Sequence, residues 1–197
     1  MKQLFLYDFD GTITNKDTLF DFLKFSTANS NYYGGLLLFL PLFVLARGGI
    51  IGKDNVKQRF ISFFLKGKTR VELSTLSTAY LQRVLGKGIL RRSALSSISE
   101  NKKQGAIYIV SASLDIWLKA ISEHLEVGLI CTKANYKNDV FDGKFSTPNC
   151  NRDEKPKRVA RELLLDTYGQ ISYFGDSKGD FAMKAIVTNF QYRIFDE

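Results

Sequence analysis

The stretch LFLYDFDGTIT, residues 4–14, decides the fold that the sequence predicts. Its apolar half has the length of a buried strand, and it ends in two carboxylates, Asp8 and Asp10, followed by a glycine. Open α/β sheets bind ligands at the carboxyl ends of their strands, so this strand is expected to deliver both carboxylates to a functional site. Side chains two residues apart on an extended chain point to the same side, where two carboxylates repel unless a cation or a shared proton relieves them.

An Asp-Gly pair after a strand is also an ordinary turn signal, so residues 8–11 alone would be interpreted as a turn. Partners elsewhere in the chain decide between the two interpretations. Two further apolar runs, residues 106–110 and 171–174, have the composition of buried parallel strands. Ser111 directly follows the first run, and Asp176 comes shortly after the second. Polar groups therefore follow three predicted strands, as a shared site at one edge of a sheet requires.

The order of these groups resembles the four motifs of the haloacid dehalogenase superfamily of phosphohydrolases. Residues 8–12 (DFDGT) match its first motif, and residues 175–180 (GDSKGD) match its fourth. Residues 149–155 (NCNRDEK) resemble the Asn-Cys-x-Gly-x-Glu-Lys third motif of subfamily IB, the phosphoserine-phosphatase-like proteins, with Arg152 where glycine is usual. Residues 111–114 (SASL) depart from a common Ser-Ala-Ser-Pro second motif. The resemblance covers the whole chain, and neither departure removes a catalytic group.

The resemblance implies a phosphatase mechanism in which Asp8 is the nucleophile and forms an aspartyl-phosphate. Asp10 would protonate the leaving oxygen and later take a proton from water. Mg²⁺ would be held by Asp8, Asp176 and the main-chain carbonyl of Asp10, since hard oxygen ligands suit this ion.

The remaining motif residues are expected to bind the phosphate or to support the site. Ser111 and the main-chain amide near Ala112 would donate to phosphate oxygens, and Lys155 would place a positive charge on them. Thr12 is a supporting residue of the first motif. Asp180 would either ligate the metal through water or hold Lys155 in place.

We expect an α/β fold with a doubly wound, mainly parallel, Rossmann-like sheet and an inserted helical cap. Residues 1–14 and 90–197 would form the catalytic core, and residues 15–89 would form the cap between the first and second motifs. Thr18 and Asp21 predict a capping box at the start of the first cap helix. Asp142 and Gly143 predict the turn of a short hairpin.

The net charge of +8 is concentrated in the predicted cap. Residues 15–90 hold eleven Lys and Arg side chains and only four acids. A basic surface favours anionic partners such as a phosphorylated small molecule, an anionic lipid surface or nucleic acid. No aromatic RNA-binding motif is present, so nucleic acid is not expected as a partner.

The cap contains the most apolar part of the chain. Residues 36–46 carry no charge, but Pro41 interrupts them and Arg47 ends them. Eleven residues are fewer than the roughly 20 that a membrane-spanning helix needs, so the run is not expected to cross a bilayer. A buried helix pair is favoured over peripheral contact of the cap with a membrane surface.

The cysteines and the single histidine exclude some classes of site. Cys131 and Cys150 lack the spacing of metal ligands, and His124 has no partner for a zinc site. Both thiols are therefore expected to be free and structural in a reducing compartment. A strand predicted directly after Met1 leaves no room for a cleavable signal, so a cytoplasmic location is expected.

Three functions remain open. The favoured one is a Mg²⁺-dependent phosphomonoesterase acting on a small, phosphoserine-like metabolite. The second is the same chemistry on a phospholipid headgroup at the membrane surface, because the cap also resembles that of the phosphatidylglycerophosphate phosphatases. The third is a non-catalytic module that binds a metal or an anion.

Overall fold

The computed structural model describes residues 2–195, which form seven strands and seven helices. The strands are β1 Lys2–Tyr7, β2 Gly105–Leu114, β3 Gly128–Thr132, β4 Ala134–Lys137, β5 Val140–Phe145, β6 Tyr168–Gly175 and β7 Asn189–Tyr192. The helices are α1 Thr18–Ser26, α2 Asn29–Arg47, α3 Lys53–Leu65, α4 Arg70–Gly86, α5 Arg92–Asn101, α6 Asp115–His124 and α7 Glu154–Glu162. A tight turn over Phe9–Ile13 follows β1, and a 3₁₀ helix over Lys178–Ala185 follows β6.

Five parallel strands form the central sheet in the order β3-β2-β1-β6-β7. The first strand is therefore central, and the chain builds one half of the sheet before it crosses to the other. Such a reversal of strand order leaves a crevice at the carboxyl ends of the strands. The prediction of a doubly wound parallel α/β sheet is confirmed.

Both faces of β1 are buried, which explains its unbroken apolar sequence. Leu4 and Leu6 pack on one face of the sheet with Val159 of α7. Phe5 and Tyr7 pack on the other face, in a cluster that also contains Ile98 of α5. Parallel strands that are covered by helices on both sides have continuous apolar sequences rather than alternating apolar and polar residues.

The two connections between the helical segment, α1–α4, and the rest of the chain run side by side. Asn15 N donates to Ile89 O at 3.0 Å, and Arg91 N donates to Ile13 O at 2.8 Å. The segment packs against α6 of the sheet layer, where Phe22 stacks on Trp117 with ring centroids 5.1 Å apart. One apolar cluster thus continues from the sheet into the helical segment.

The apolar run of residues 36–46 is not part of a buried helix pair. It belongs to the single helix α2, which continues through Pro41 and buries only Tyr32, Gly35, Phe39 and Ala46. Within the described residues, α2 alone is long and apolar enough to cross a bilayer, by length and composition only. Because the helix is longer than its uncharged run, the length of residues 36–46 alone does not decide whether α2 could span a bilayer.

The hairpin turns at a different place from the one predicted. Lys137 pairs with Val140, which leaves Asn138 and Asp139 as a two-residue loop in which both φ angles are positive, at 49° and 60°. This left-handed pair is the geometry that suits the right-handed twist of a hairpin. Gly143 lies inside β5 instead, where a side chain would overlap Ser62 of α3.

Candidate active site

The tips of three neighbouring strands form the candidate site. Tyr7 of β1 pairs with Ile109 of β2 and with Phe174 of β6, and Asp8 N donates to Phe174 O at 2.8 Å. Asp8, Ser111 and Asp176 therefore emerge at the same edge of the sheet, as the sequence predicts.

Lys155, near the start of α7, connects the first and fourth motifs. Its buried Nζ contacts Asp8 Oδ1 at 2.5 Å and Asp180 Oδ1 at 2.6 Å, and it donates to Tyr173 Oη at 2.9 Å. Three acceptors match the three protons of an ammonium group. A buried lysine is costly unless it is paired in this way, so its partners hold it in one position.

Asp180 is occupied by hydrogen bonds from protein groups. Its Oδ1 accepts from Lys155 and from Tyr173 Oη at 2.6 Å, while its Oδ2 accepts from Ser177 N at 2.9 Å and Ser177 Oγ at 2.8 Å. Burial raises the pKa of Asp180, but the charge and hydrogen bond of Lys155, with the hydrogen bonds of Tyr173 and Ser177, outweigh it and hold that pKa below its usual range. Of the two roles open to Asp180, this geometry favours holding Lys155.

Asp8, Asp176 and Asp180 each place a carboxylate oxygen within 4.8 Å of the others. Burial raises the pKa of Asp8 to about 8; Lys155 opposes this shift, and the charges of Asp180 and Asp10 add to it. Burial and the charge of Asp180 likewise raise the pKa of Asp176, whose carboxylate accepts a long 3.5 Å hydrogen bond from Thr12 Oγ1. The carboxylates of Asp8 and Asp176 thus fit a hard divalent cation, whose charge would relieve their repulsion.

Asp10 faces the helical segment instead of this acidic cluster. Its Oδ1 accepts from Thr18 N at 2.7 Å and Thr18 Oγ1 at 2.6 Å, and its Oδ2 accepts from Ser113 Oγ at 2.6 Å. The predicted capping box is wrong, because the Thr18 hydroxyl binds Asp10 while Asp17 caps α1 by accepting from Leu19 N at 2.9 Å. The start of α1 therefore orients the predicted acid/base carboxyl.

The second motif occupies the end of β2. Ser111 is buried, and its Oγ accepts from Ser113 N at 3.0 Å, so the Ser111 hydroxyl proton can be donated elsewhere. The Ala112 carbonyl accepts from Lys57 Nζ at 2.6 Å and from Thr132 Oγ1 at 2.7 Å. These bonds hold the predicted phosphate-binding loop from both the helical segment and the sheet.

A family model of haloacid dehalogenase-like hydrolases matches residues 5–184. The chain belongs to this hydrolase family. The CicA protein of Caulobacter vibrioides is 30% identical to it over 195 residues, which are 98% of this chain and 86% of CicA.

Solved structures show the same fold at lower identity. A protein of unknown function from Bordetella pertussis Tohama I has a TM-score of 0.84 at 18% identity and covers 97% of this chain and 90% of its own. A substrate-bound phosphoserine phosphatase has a TM-score of 0.68 at 17% identity over 98% of this chain and 86% of its own. The chain therefore has a phosphoserine-phosphatase-like fold.

The sequence did not reveal that the helical segment of this hydrolase contributes Lys57 to the site. Besides Ala112 O, Lys57 Nζ donates to Asn149 Oδ1 at 2.8 Å, and Asn149 Nδ2 donates to Asp54 Oδ1 at 2.7 Å. Burial lowers the pKa of Lys57, and the charges of Asp10 and Asp17 oppose that shift. In the sequence Lys57 is one of many basic residues in an amphipathic helix, so only its tertiary position distinguishes it.

Arg152 adopts a left-handed conformation, with φ of 49°, at the position where the third motif usually has glycine. A non-glycine residue in this region costs on the order of 1–3 kcal/mol. Glycine removes this cost, but it also raises the conformational entropy of the unfolded chain, which offsets part of the gain in stability. We expect Arg152→Gly to raise the free energy of unfolding by about 0.5–1 kcal/mol in urea denaturation. The neighbouring Asp153, with φ of −62°, is the matched control, because Asp153→Gly should destabilise the hydrolase. Equal shifts for both variants would show that Arg152 is not strained.

Proposed function

We propose that this hydrolase is a Mg²⁺-dependent phosphatase that cleaves phosphomonoesters through an aspartyl-phosphate on Asp8. The observation that carries the proposal is the position of Asp8 at the tip of the central strand, in contact with the Lys155 ammonium group and with a carboxylate oxygen of Asp176 within 4.8 Å. A neighbouring cation and a nearby oxygen that can ligate a metal let an anionic nucleophile approach an anionic phosphate.

In the first step, Asp8 Oδ attacks phosphorus while the bond between phosphorus and the ester oxygen breaks. Asp10 donates a proton to the departing oxygen, and Thr18 and Ser113 keep its carboxyl in place for this transfer. In the second step, Asp10 takes a proton from water, which attacks phosphorus and releases Asp8 and inorganic phosphate.

Lys155 and Ser111 stabilise the phosphoryl oxygens in both steps of this scheme. Asp180 and Tyr173 support them by holding the Lys155 ammonium group in its position. Mg²⁺ on Asp8, Asp176 and the Asp10 main-chain carbonyl would offset the repulsion between carboxylate and phosphate oxygens.

A small, phosphoserine-like metabolite is our first choice of substrate. Lys57 and Asp17 place opposite charges near Asp10, where the leaving group must sit. Such a pair suits a leaving group that itself carries both charges. The shared fold with phosphoserine phosphatases is compatible with this choice.

A phospholipid headgroup is the second candidate substrate, and the exposed apolar face of α2 favours it. The non-catalytic alternative is weaker, because every motif residue that the mechanism needs is present. We also propose a cytoplasmic location, supported by the two buried cysteines, Cys131 and Cys150, which are both free.

A substrate panel assayed for phosphate release tests the proposal. We expect turnover of p-nitrophenyl phosphate with Mg²⁺ and none after EDTA treatment, with recovery when Mg²⁺ is restored. O-Phosphoserine and phosphatidylglycerophosphate in detergent micelles distinguish the two substrate classes by their kcat/KM. Hydrolysis that persists unchanged in EDTA would overturn the metal-dependent mechanism.

A further inference from the structure

One face of α2 leaves a continuous row of large apolar side chains in solvent. We call it the α2 surface; it consists of Leu37, Leu38, Leu40, Val44, Leu45 and Ile50 just beyond the helix end. Leu37 is 71% exposed, Val44 63% and Ile50 73%. Contiguous apolar side chains on one helix face, unlike single scattered ones, mark an interaction site.

The opposite face of α2 anchors the helix to the rest of the molecule. Phe39 packs on Phe60 and Phe63 of α3 with ring centroids 5.3 and 5.7 Å apart, and a side chain at Gly35 would overlap Phe64. The helix is thus held by its own aromatic contacts and keeps the α2 surface directed outward. At about 100° per residue, the apolar helical positions of this surface span an arc of about 160°.

Charge identifies the occupant of the α2 surface. Residues 22–53 contain no Asp or Glu, and the exposed cations Lys24, Arg47 and Lys53 lie in or beside this stretch. Exposed Arg59 on the adjacent α3, and exposed Lys66 directly after that helix, extend the positive charge. An apolar face bordered by cations and without acids is the composition of helices that lie in the interface of anionic membranes. A second copy of the chain would bring two such basic surfaces together, which is unfavourable.

We propose that the α2 surface docks the protein on an anionic lipid bilayer, with α2 parallel to the membrane plane. Leu37, Val44 and their neighbours enter the boundary between headgroups and acyl chains, while Arg47 and Lys53 meet lipid phosphates. The packing of Phe39 keeps α2 on the protein, so the helix lies on the membrane and does not cross it. Docking goes beyond the proposed phosphatase activity and does not require it.

Co-sedimentation of the full chain with vesicles tests the docking. We expect binding to vesicles of phosphatidylcholine mixed with phosphatidylglycerol, weaker binding at high salt, and little binding to phosphatidylcholine alone. A Leu37→Asp/Val44→Asp variant should bind the anionic vesicles at least about tenfold more weakly, because it removes apolar contact and adds negative charge. Both side chains are exposed, so the variant should keep the wild-type circular dichroism spectrum and melting temperature.

Val71→Asp/Leu164→Asp is the matched control, since Val71 is 76% exposed and Leu164 80% exposed outside the α2 surface. This control and Asp8→Asn should both bind as the wild type does, which separates docking from catalysis. Absence of binding to anionic vesicles, equal binding to both vesicle types, or a Leu37→Asp/Val44→Asp variant that binds normally would each overturn the proposal. A wild-type dimer in light scattering that becomes monomeric in this variant, without vesicle binding, would identify a second copy as the occupant instead.

Discussion

Asp8→Asn is expected to lower phosphate release from p-nitrophenyl phosphate by at least about a thousandfold. The amide has the shape of the carboxylate, but it neither attacks phosphorus nor offers a negative oxygen to the metal. Burial raises the pKa of Asp8 to about 8, so its charge is costly in the fold, and Lys155 keeps Asp180 as its counterion in the variant. Asp8→Asn should therefore not destabilise the fold. Initial rates with and without Mg²⁺, together with a urea melt of the same sample, provide the measurement.

Asp166→Asn is the control for this variant, because Asp166 is an exposed aspartate in the same polypeptide. It should keep wild-type turnover and stability. Unchanged turnover in Asp8→Asn would remove Asp8 as the nucleophile, whereas a folded but inactive variant would agree with the aspartyl-phosphate mechanism.

Lys155→Met is expected to lower both activity and stability. It leaves the buried carboxylates of Asp8 and Asp180 without their shared cation, and breaking a buried ion pair from one side costs about 3–5 kcal/mol. Turnover should fall by at least about a thousandfold, because the phosphoryl oxygens lose a positive charge as well. Urea denaturation and kcat measured on the same preparation test both effects.

The stability loss in Lys155→Met should depend on pH. Without the lysine, the folded-state pKa of Asp8, which burial already raises, rises further, and burial raises the pKa of Asp180 above its unfolded value. The folded variant therefore binds more protons than the unfolded chain. Its stability relative to wild type should therefore be partly restored at pH 5 and lost as the pH rises toward 8. Lys157→Met, at an exposed position on the same helix, should show neither effect. A Lys155→Met variant as stable as this control would contradict the role of Lys155 as the buried counterion.

The strand tips could be predicted because their pattern is local. The apolar runs that end at Tyr7, Val110 and Phe174 are buried on both faces, so their composition alone identified them as parallel strands. Parallel strands place their carboxyl ends at one edge of a sheet, and this rule is sufficient to predict that Asp8, Ser111 and Asp176 lie together.

The hydrogen-bond partners within the site could not be predicted from spacing. Thr18 stands where a helix cap is expected, yet its hydroxyl binds Asp10, because the tight turn after β1 brings that carboxyl to the start of α1. The two roles open to Asp180 differ only in which atoms lie beside it, and its hydrogen bonds go to Lys155, Tyr173 and Ser177. Partner identity depends on side-chain direction, which a linear pattern does not contain.

The sequence by itself determined the parallel sheet and the reactive side chains at its edge, because strand composition and motif order are local properties. Only the tertiary structure decided which face of α2 is covered. Periodicity shows which residues share a helix face, but burial depends on the neighbours that pack against it. The aromatic rings of α3 cover one side of α2, and within the described residues the side that carries Leu37 and Val44 remains exposed. That difference turns an apolar run expected to be core into a candidate membrane-docking surface.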